Sequence, residues 1–180
     1  MSFFAEDVLT TALIHHLPEH AAPAGERCRQ IYEANRDRIY SFAFWMTGSE
    51  MLAEEVTLRC FVRAFLRYGE PGEEVLDQAL LHELDAAAGV RLGRPSVQCG
   101  VVKEVAAVRH GALRVELEHA ILQLPHLERM IYVMHDGDSY EHARIARTLG
   151  LTERESRAAL TQARLRIREL LVENAQRATA

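Results

Sequence analysis

The chain has 180 residues, 48% of them hydrophobic, and a formal net charge of -5. That is enough apolar material for one domain or two small ones, and the acidic balance argues against a general polyanion binder. Cys28, Cys60 and Cys99 are odd in number and far apart, without a Cys-x-x-Cys, and no apolar run approaches the roughly 18 residues that cross a bilayer, so a reduced, cytoplasmic protein without membrane association is expected.

Nearly all of the chain carries helical periodicity, with only the brief "SVQCGVV" resembling a strand. The opening residues include Glu6 and Asp7 and lack the basic start of a signal peptide; a helix is predicted over 5–17, ending near Pro18. A second helix is predicted over 26–47, with Ile31, Asn35, Ile39, Phe42, Ala43 and Met46 at helical spacing and Gly48 as its stop. A third, over 49–68, sets Leu52, Val56, Cys60 or Phe61, Ala64 and Phe65 on one side before "GEPGEE" breaks the chain. A fourth helix is predicted over 75–88, and "GVRLGRPSVQCG" reads as an interdomain linker. Further helices are predicted over 102–122, 127–135, 141–149 and 153–173. The expected fold is therefore all-α: an N-terminal extension (1–24), a helical domain (25–90), a linker (91–114) and a helix-turn-helix domain (115–175).

Charge is segregated along this plan. Residues 69–90 hold six acids, Glu70, Glu73, Glu74, Asp77, Glu83 and Asp85, and no Lys or Arg. Residues 140–170 hold seven arginines against four glutamates, which places any nucleic-acid footprint near the C-terminus.

In "ARIARTLGLTERESRAALTQARLRI" Gly150 stands where the first helix must end with positive φ, and Thr152 is a suitable N-cap for the next. Thr152 and Glu155 have the spacing of a capping box, and Glu153 suits the positive end of the helix dipole. Winding the second helix places Leu160, Ala163, Ile167, Leu170 and Leu171 on a core stripe, and Arg154, Arg157, Thr161, Arg164 and Arg168 together on another face. Such a face suits phosphates and guanine edges in a major groove. Its bland counterpart is a solvated face with ion pairs, Glu153 with Arg157 and Arg166 with Glu169; Arg154, Arg164 and Arg168 have no acid at those offsets on their own helix.

"LPHLERMIYVMHDGDSYEHARIARTLGLTERESRAALTQARLRIREL" resembles the promoter-reading C-terminal domain of the extracytoplasmic-function sigma factors of bacterial RNA polymerase. The matching features are Leu124-Pro125, Arg129, "YVMHD", Tyr140, His142, Ile145-Ala146, Leu149-Gly150 and the closing "ARLRIREL". Upstream, "IYEANRDRIYSFAFWMTGSEMLAEEVTLRCFVRAF" is similar to the same family's other domain, through Tyr32, Arg38, Tyr40, Thr47-Gly48, "AEE" at 53–55, Phe61 and "RAF" at 63–65. The resemblance implies a sigma-like protein that binds core RNA polymerase through the surface at Glu54, Glu55, Leu58 and Arg59, and promoter DNA through Arg154, Arg157, Thr161, Arg164 and Arg168. The residues themselves show no Gly-rich phosphate loop, nucleophile elbow or paired carboxylates, so no catalysis, cofactor or metal is expected.

The chain also departs from the family. Leu58-Arg59 stands where the family usually has Gln-Glu for clamp contact, and Arg154-Glu155 where it usually has Gly-Thr. The family's strand-capturing segment is basic and aromatic, whereas "GEPGEEVLDQALLHELDAAAGV" is acidic without an aromatic residue. These departures support a rival reading: a degenerate sigma-like interaction module that no longer melts promoters and acts through a protein partner such as an anti-sigma factor.

Other features carry less. Trp45 reads as a core or domain contact, and Arg59, Arg63 and Arg67 as a solvated helix face in which Glu55 pairs with Arg59. Asp136 and Asp138 lack the Gly and Glu that a calcium loop requires further on. His15, His16, His20 and Cys28 match no standard zinc spacing, and His135 and His142 read as structural.

Overall fold

The computed structural model describes residues 22–88 and 114–177. Helix α1 spans Ala22–Thr47, α2 Glu50–Tyr68 and α3 Glu73–Ala88. After the interval 89–113 come α4 (Arg114–Leu122), α5 (His126–Tyr132), a π-helical turn (Val133–Gly137), α6 (His142–Leu149) and α7 (Glu153–Arg177). The fold is all-α, with short helices in two groups, as two small helical domains require. The expected N-terminal helix and nearly all of the expected linker lie outside the described residues.

Helices α1 and α2 form a hairpin whose corner is set by chemistry at three residues. Gly48 adopts φ 66° and donates its N–H to Phe44 O at 2.8 Å, while the Thr47 hydroxyl donates to Ala43 O and Ser49 caps α2 by accepting from Leu52 N–H. A Cβ at position 48 would only touch Leu122 Cδ2, at 3.4 Å, so it is the positive φ rather than lack of space that favours glycine there. At the far end Gly69, also at φ 66°, stops α2, and Arg27 meets Glu70 at 3.0 Å.

The core does not respect the division of the sequence. One cluster runs from Ile39, Phe42 and Met46 of α1 through Phe61 of α2 and Leu76, Leu80 and Leu84 of α3 to Met130, Ile131, Tyr140, Ile145 and Leu160. A second joins Ala120, Ile121 and Leu124 to Ala163, Ile167 and Leu171. Trp45 packs against both clusters, consistent with the domain contact expected of it. Burial of this kind across the junction stabilises the joined arrangement by roughly 25 cal/mol for each Å² of apolar surface removed from water.

Arg129 ties three helix ends together. Its buried guanidinium donates to Met46 O at 3.2 Å, Leu124 O at 3.0 Å and Leu122 O, satisfying carbonyls at the ends of α1 and α4 and in the turn before α5.

The helix expected over 127–135 begins as predicted and then widens. Asp138 N–H reaches Val133 O at 3.0 Å, and Tyr140 N–H reaches Met134 O at 2.9 Å. Ser139 adopts φ 58° to make that return, a left-handed conformation rare outside glycine. The turn thereby delivers Tyr140 to the junction between the two groups of helices, and π turns of this kind often occur at functional positions.

Candidate nucleic-acid and protein interfaces

The pair α6–α7 has helix-turn-helix form. Gly150 is left-handed at φ 67°, as its position predicts, and Leu151 N–H donates back to Ala146 O at 2.8 Å. Thr152 and Glu155 make the reciprocal capping box: the Glu155 carboxylate accepts from Thr152 N–H at 2.7 Å, and Thr152 Oγ1 accepts from Glu155 N–H at 3.2 Å. Glu155 is thus held by its own helix end. Below it Ser156, fully buried, meets His142 Nδ1 at 2.9 Å, and His142 stacks on His135 at 4.7 Å. Burial and then the His135 ring hold His142 below the ordinary imidazole pKa, which favours its neutral form.

All five residues of the expected DNA-reading face are exposed: Arg154, Arg157, Thr161, Arg164 and Arg168. Leu160, Ala163, Ile167 and Leu171 are buried on the opposite side, with Leu170 half-buried beside them. The five differ in their engagements. Arg157 pairs with Glu153, as its spacing predicts, and Thr161 Oγ1 donates to Arg157 O at 2.9 Å. Arg164 clasps Asp136 of the π turn through two bonds, at 3.0 and 2.6 Å. Burial opposes the Asp136 charge, yet these bonds and one from His135 hold its carboxyl below the usual range. Arg154 and Arg168 make no ion pair among the described residues. Arg166 does not pair with Glu169; it meets Glu128 of α5 at 2.9 Å, a partner that only the tertiary fold brings near.

The expected polymerase surface lies on the outer side of α2. Glu54, Glu55, Leu58 and Arg59 are all exposed, with Glu55 and Arg59 paired at 2.6 Å. The structure sets these four residues on a different element from the arginines of α7, so the two sets form separate surfaces.

A third constellation was not read from the sequence as a unit. Asp77 of α3, 98% removed from solvent, accepts from Arg38 of α1 at 2.7 Å, from the Tyr140 hydroxyl at 3.0 Å and from Arg144 of α6 at 2.7 Å. Arg144 also reaches Glu73 at 2.9 Å and lies over the Tyr140 ring, 3.8 Å from its centroid. Burial and then the neighbouring Asp77 raise the Tyr140 pKa, so the phenol stays protonated and donates. Burial works against the Arg144 charge, but Asp77 and Glu73 more than offset it. Further out, Arg147 approaches Glu74 at 3.8 Å.

The acidic run is therefore largely satisfied from within. Glu70, Glu73, Glu74, Asp77 and Glu83 meet Arg27, Arg144, Arg147, Arg38 and Arg63, which leaves Asp85 as the member of the run without such a pair among the described residues. A helical wheel holds the clue to two of them: Asp77 and Glu83 fall on the same arc as Leu76, Ala79, Leu80 and Leu84. An acid on a core stripe needs a cation brought to it.

Residues 114–167 match the family model for sigma-70 region 4. Over this segment the chain is similar to sigma-70 region 4. The match covers α4 to most of α7, and with it the Arg129 clasp, the π turn and the arginine face. In fold, the chain is similar to the sigma factor RpoE from Bartonella quintana, in its co-crystal structure with the anti-sigma factor NepR: TM-score 0.60, 17% identity, 79% of this chain and 95% of that chain covered. The likeness extends the sigma-factor fold beyond region 4. No curated protein matches the chain.

Among the described residues no helix is long and apolar enough to cross a membrane, and no three metal-ligating side chains converge. The histidines at 15, 16 and 20 lie outside the described residues, while Cys28 Sγ lies 3.5 Å from Gly69 O.

Proposed function

We propose that this chain is a sigma-like interaction module that acts through a protein partner of the anti-sigma class and does not melt promoters. The observation that carries this reading is the inward turn of α3. That helix stands where the resemblance places the strand-capturing segment, yet it carries no aromatic residue and hands Asp77 and Glu73 to Arg144 of region 4. Captured single-stranded DNA needs cations for its phosphates and flat rings for its bases. Carboxylates supply neither. Support for the partner's class comes from the similarly folded RpoE, which was crystallised with an anti-sigma factor.

A second reading keeps a specific observation in its favour. Arg154 and Arg168 stand exposed on the outer face of a region 4 helix-turn-helix, available to phosphates. In this reading the chain is an initiation factor that binds core RNA polymerase through Glu54, Glu55, Leu58 and Arg59, and promoter DNA through the five-residue face of α7.

Co-elution with purified core RNA polymerase on a sizing column separates the two, with an authentic extracytoplasmic-function sigma factor as competitor. The interaction-module reading expects the folded chain to elute apart from polymerase. Co-elution that the competitor abolishes would overturn it in favour of the initiation factor.

A further inference from the structure

Helix α6 carries a cationic edge of its own. Arg144 and Arg147 stand at i, i+3, on the side away from the buried Ile145 and Ala146, and residues 142–150 contain no acid. In a docked helix-turn-helix the second helix enters the major groove while the first crosses the sugar-phosphate backbone. Two arginines on the outer side of that first helix are therefore suited to phosphates. In the isolated chain the edge is already occupied. Arg144 gives one N–H to Glu73 at 2.9 Å and another to Asp77 at 2.7 Å, and Arg147 lies 3.8 Å from Glu74. The three acids fall within five residues at the start of α3, so one helix end presents carboxylate oxygens to both arginines as adjacent phosphates would.

Two features make this occupancy exchangeable. The contact is open at its edge: the side chains of Glu73, Glu74 and Arg147 are 64%, 75% and 69% exposed, and ion pairs in such surroundings are weak. Asp77 is buried, but it also accepts from Arg38 and from the Tyr140 hydroxyl, so the departure of Arg144 does not leave a bare carboxylate in the core. Arg38 is thus the structural cation at Asp77, and Arg144 is the one free to exchange its partner.

We propose that Arg144 and Arg147 are phosphate-binding residues of the helix-turn-helix, and that Glu73, Glu74 and Asp77 of the same chain stand in for the phosphates when no duplex is bound. The inference rests on the reading in which α6 and α7 meet duplex DNA, and it goes beyond the five residues of α7. A duplex and α3 exclude one another at α6. The acids therefore lower the affinity of the closed chain for any duplex, whatever its sequence, since phosphate contacts carry no base information.

Fluorescence anisotropy of the full chain with a labelled duplex of arbitrary sequence, over a range of salt concentrations, tests this. Glu73→Gln and Glu74→Gln together loosen the hold on both arginines and leave the buried Asp77 in place. The double variant is expected to bind several-fold more tightly than the parent at low salt, with log affinity falling against log salt more steeply by about 0.9 for each arginine that gains a phosphate. Adding Arg147→Ala to the double variant is expected to take back about 0.9 of that slope. Asp85→Asn removes a charge from the same helix, at an exposed acid without an ion pair among the described residues, and is expected to bind as the parent does. An equal gain in Asp85→Asn would assign the effect to net charge and overturn the proposal. A double variant that binds no better than a DNA-binding parent would overturn it too, with the α7 face left standing. Absence of binding by parent and variant alike would overturn both the proposal and the DNA reading beneath it. Should the double variant fold poorly by circular dichroism, Glu74→Gln alone, at the exposed pair with Arg147, is read in the same way against a steepening of about 0.9.

Discussion

The carboxylate of Asp77 accepts the Tyr140 hydroxyl at 3.0 Å, joining residues 63 positions apart and closing the N-terminal helices onto the C-terminal group. Around that bond stand two arginines from two further helices, Arg38 and Arg144, both largely withdrawn from solvent. A buried charge pair of this kind contributes little net stability compared with a well-packed apolar substitute, but removal of one partner leaves the others uncompensated. Asp77→Ala is expected to destabilise the chain by about 3–5 kcal/mol, and Tyr140→Phe by about 1 kcal/mol, since the phenol gives up a single bond. Urea unfolding of the two variants checks the ranking; equal losses would show that Asp77 is not the centre of the network.

Asp138 lies beside this network, with one carboxylate oxygen buried and unpartnered. Burial pushes its pKa up from 3.8 to about 6, with Asp77 adding to the rise and Arg38 and Arg144 opposing it. Between those two pH values the folded chain holds a proton that the unfolded chain has lost, so the contribution of Asp138 to stability falls as pH rises from 4 to 6 and is flat above. Asp138→Asn is expected to remove that slope and to stabilise the chain at pH 7 by on the order of 1 kcal/mol, partial solvent access being allowed for. Chemical unfolding at several pH values reads both effects, and an unchanged slope would exclude Asp138 as its source.

The capping box sets the start of the helix that carries the arginine face. Thr152→Ala is expected to cost about 1 kcal/mol, with Glu155→Ala smaller but of the same sign. Thr161→Ala, whose hydroxyl only returns to Arg157 O, should change stability by less than about 0.5 kcal/mol. Thermal melts order the three.

If the arginine face meets DNA, its members should not contribute equally. Arg154 and Arg168 are exposed without an ion pair among the described residues, whereas Arg157 and Arg164 must first leave Glu153 and Asp136. Arg154→Ala and Arg168→Ala are each expected to reduce the slope of log affinity against log salt by about 0.9. Asp136→Asn, which frees Arg164, should raise non-specific affinity. Fluorescence anisotropy with a labelled duplex at several salt concentrations measures these changes, and binding indifferent to salt would sink the DNA-reading face.

Local chemistry was legible in the sequence. The positive φ of Gly150, the Thr152–Glu155 box, the Glu153–Arg157 pair and the separation of arginine face from core stripe on α7 each depend on residues within one or two turns of one another. What escaped depended on distant parts of the chain. Glu169 lies at the right spacing for Arg166, but Glu128 competes for it from another helix. The helical pattern of "LERMIYVMHD" gives no sign of the π turn, because that turn is fixed by the return of Tyr140 to Met134 and to Asp77. The acidity of 69–90 was plain, but its direction was not: Asp77 and Glu83 share the apolar arc of α3 and so face inward, to cations supplied by α1, α2 and α6.

Helices α1–α3 and α4–α7 share a core and form one closed body in the isolated chain. Equilibrium unfolding in urea tests it with two probes at once: fluorescence of Trp45, which packs against both clusters, and far-ultraviolet circular dichroism, which reports every helix. A single coincident transition is expected, as a two-state body requires, with Asp77→Ala separating it into two. Two transitions in the parent chain, with Trp45 following only the first, would show that the halves fold independently and would contradict the account.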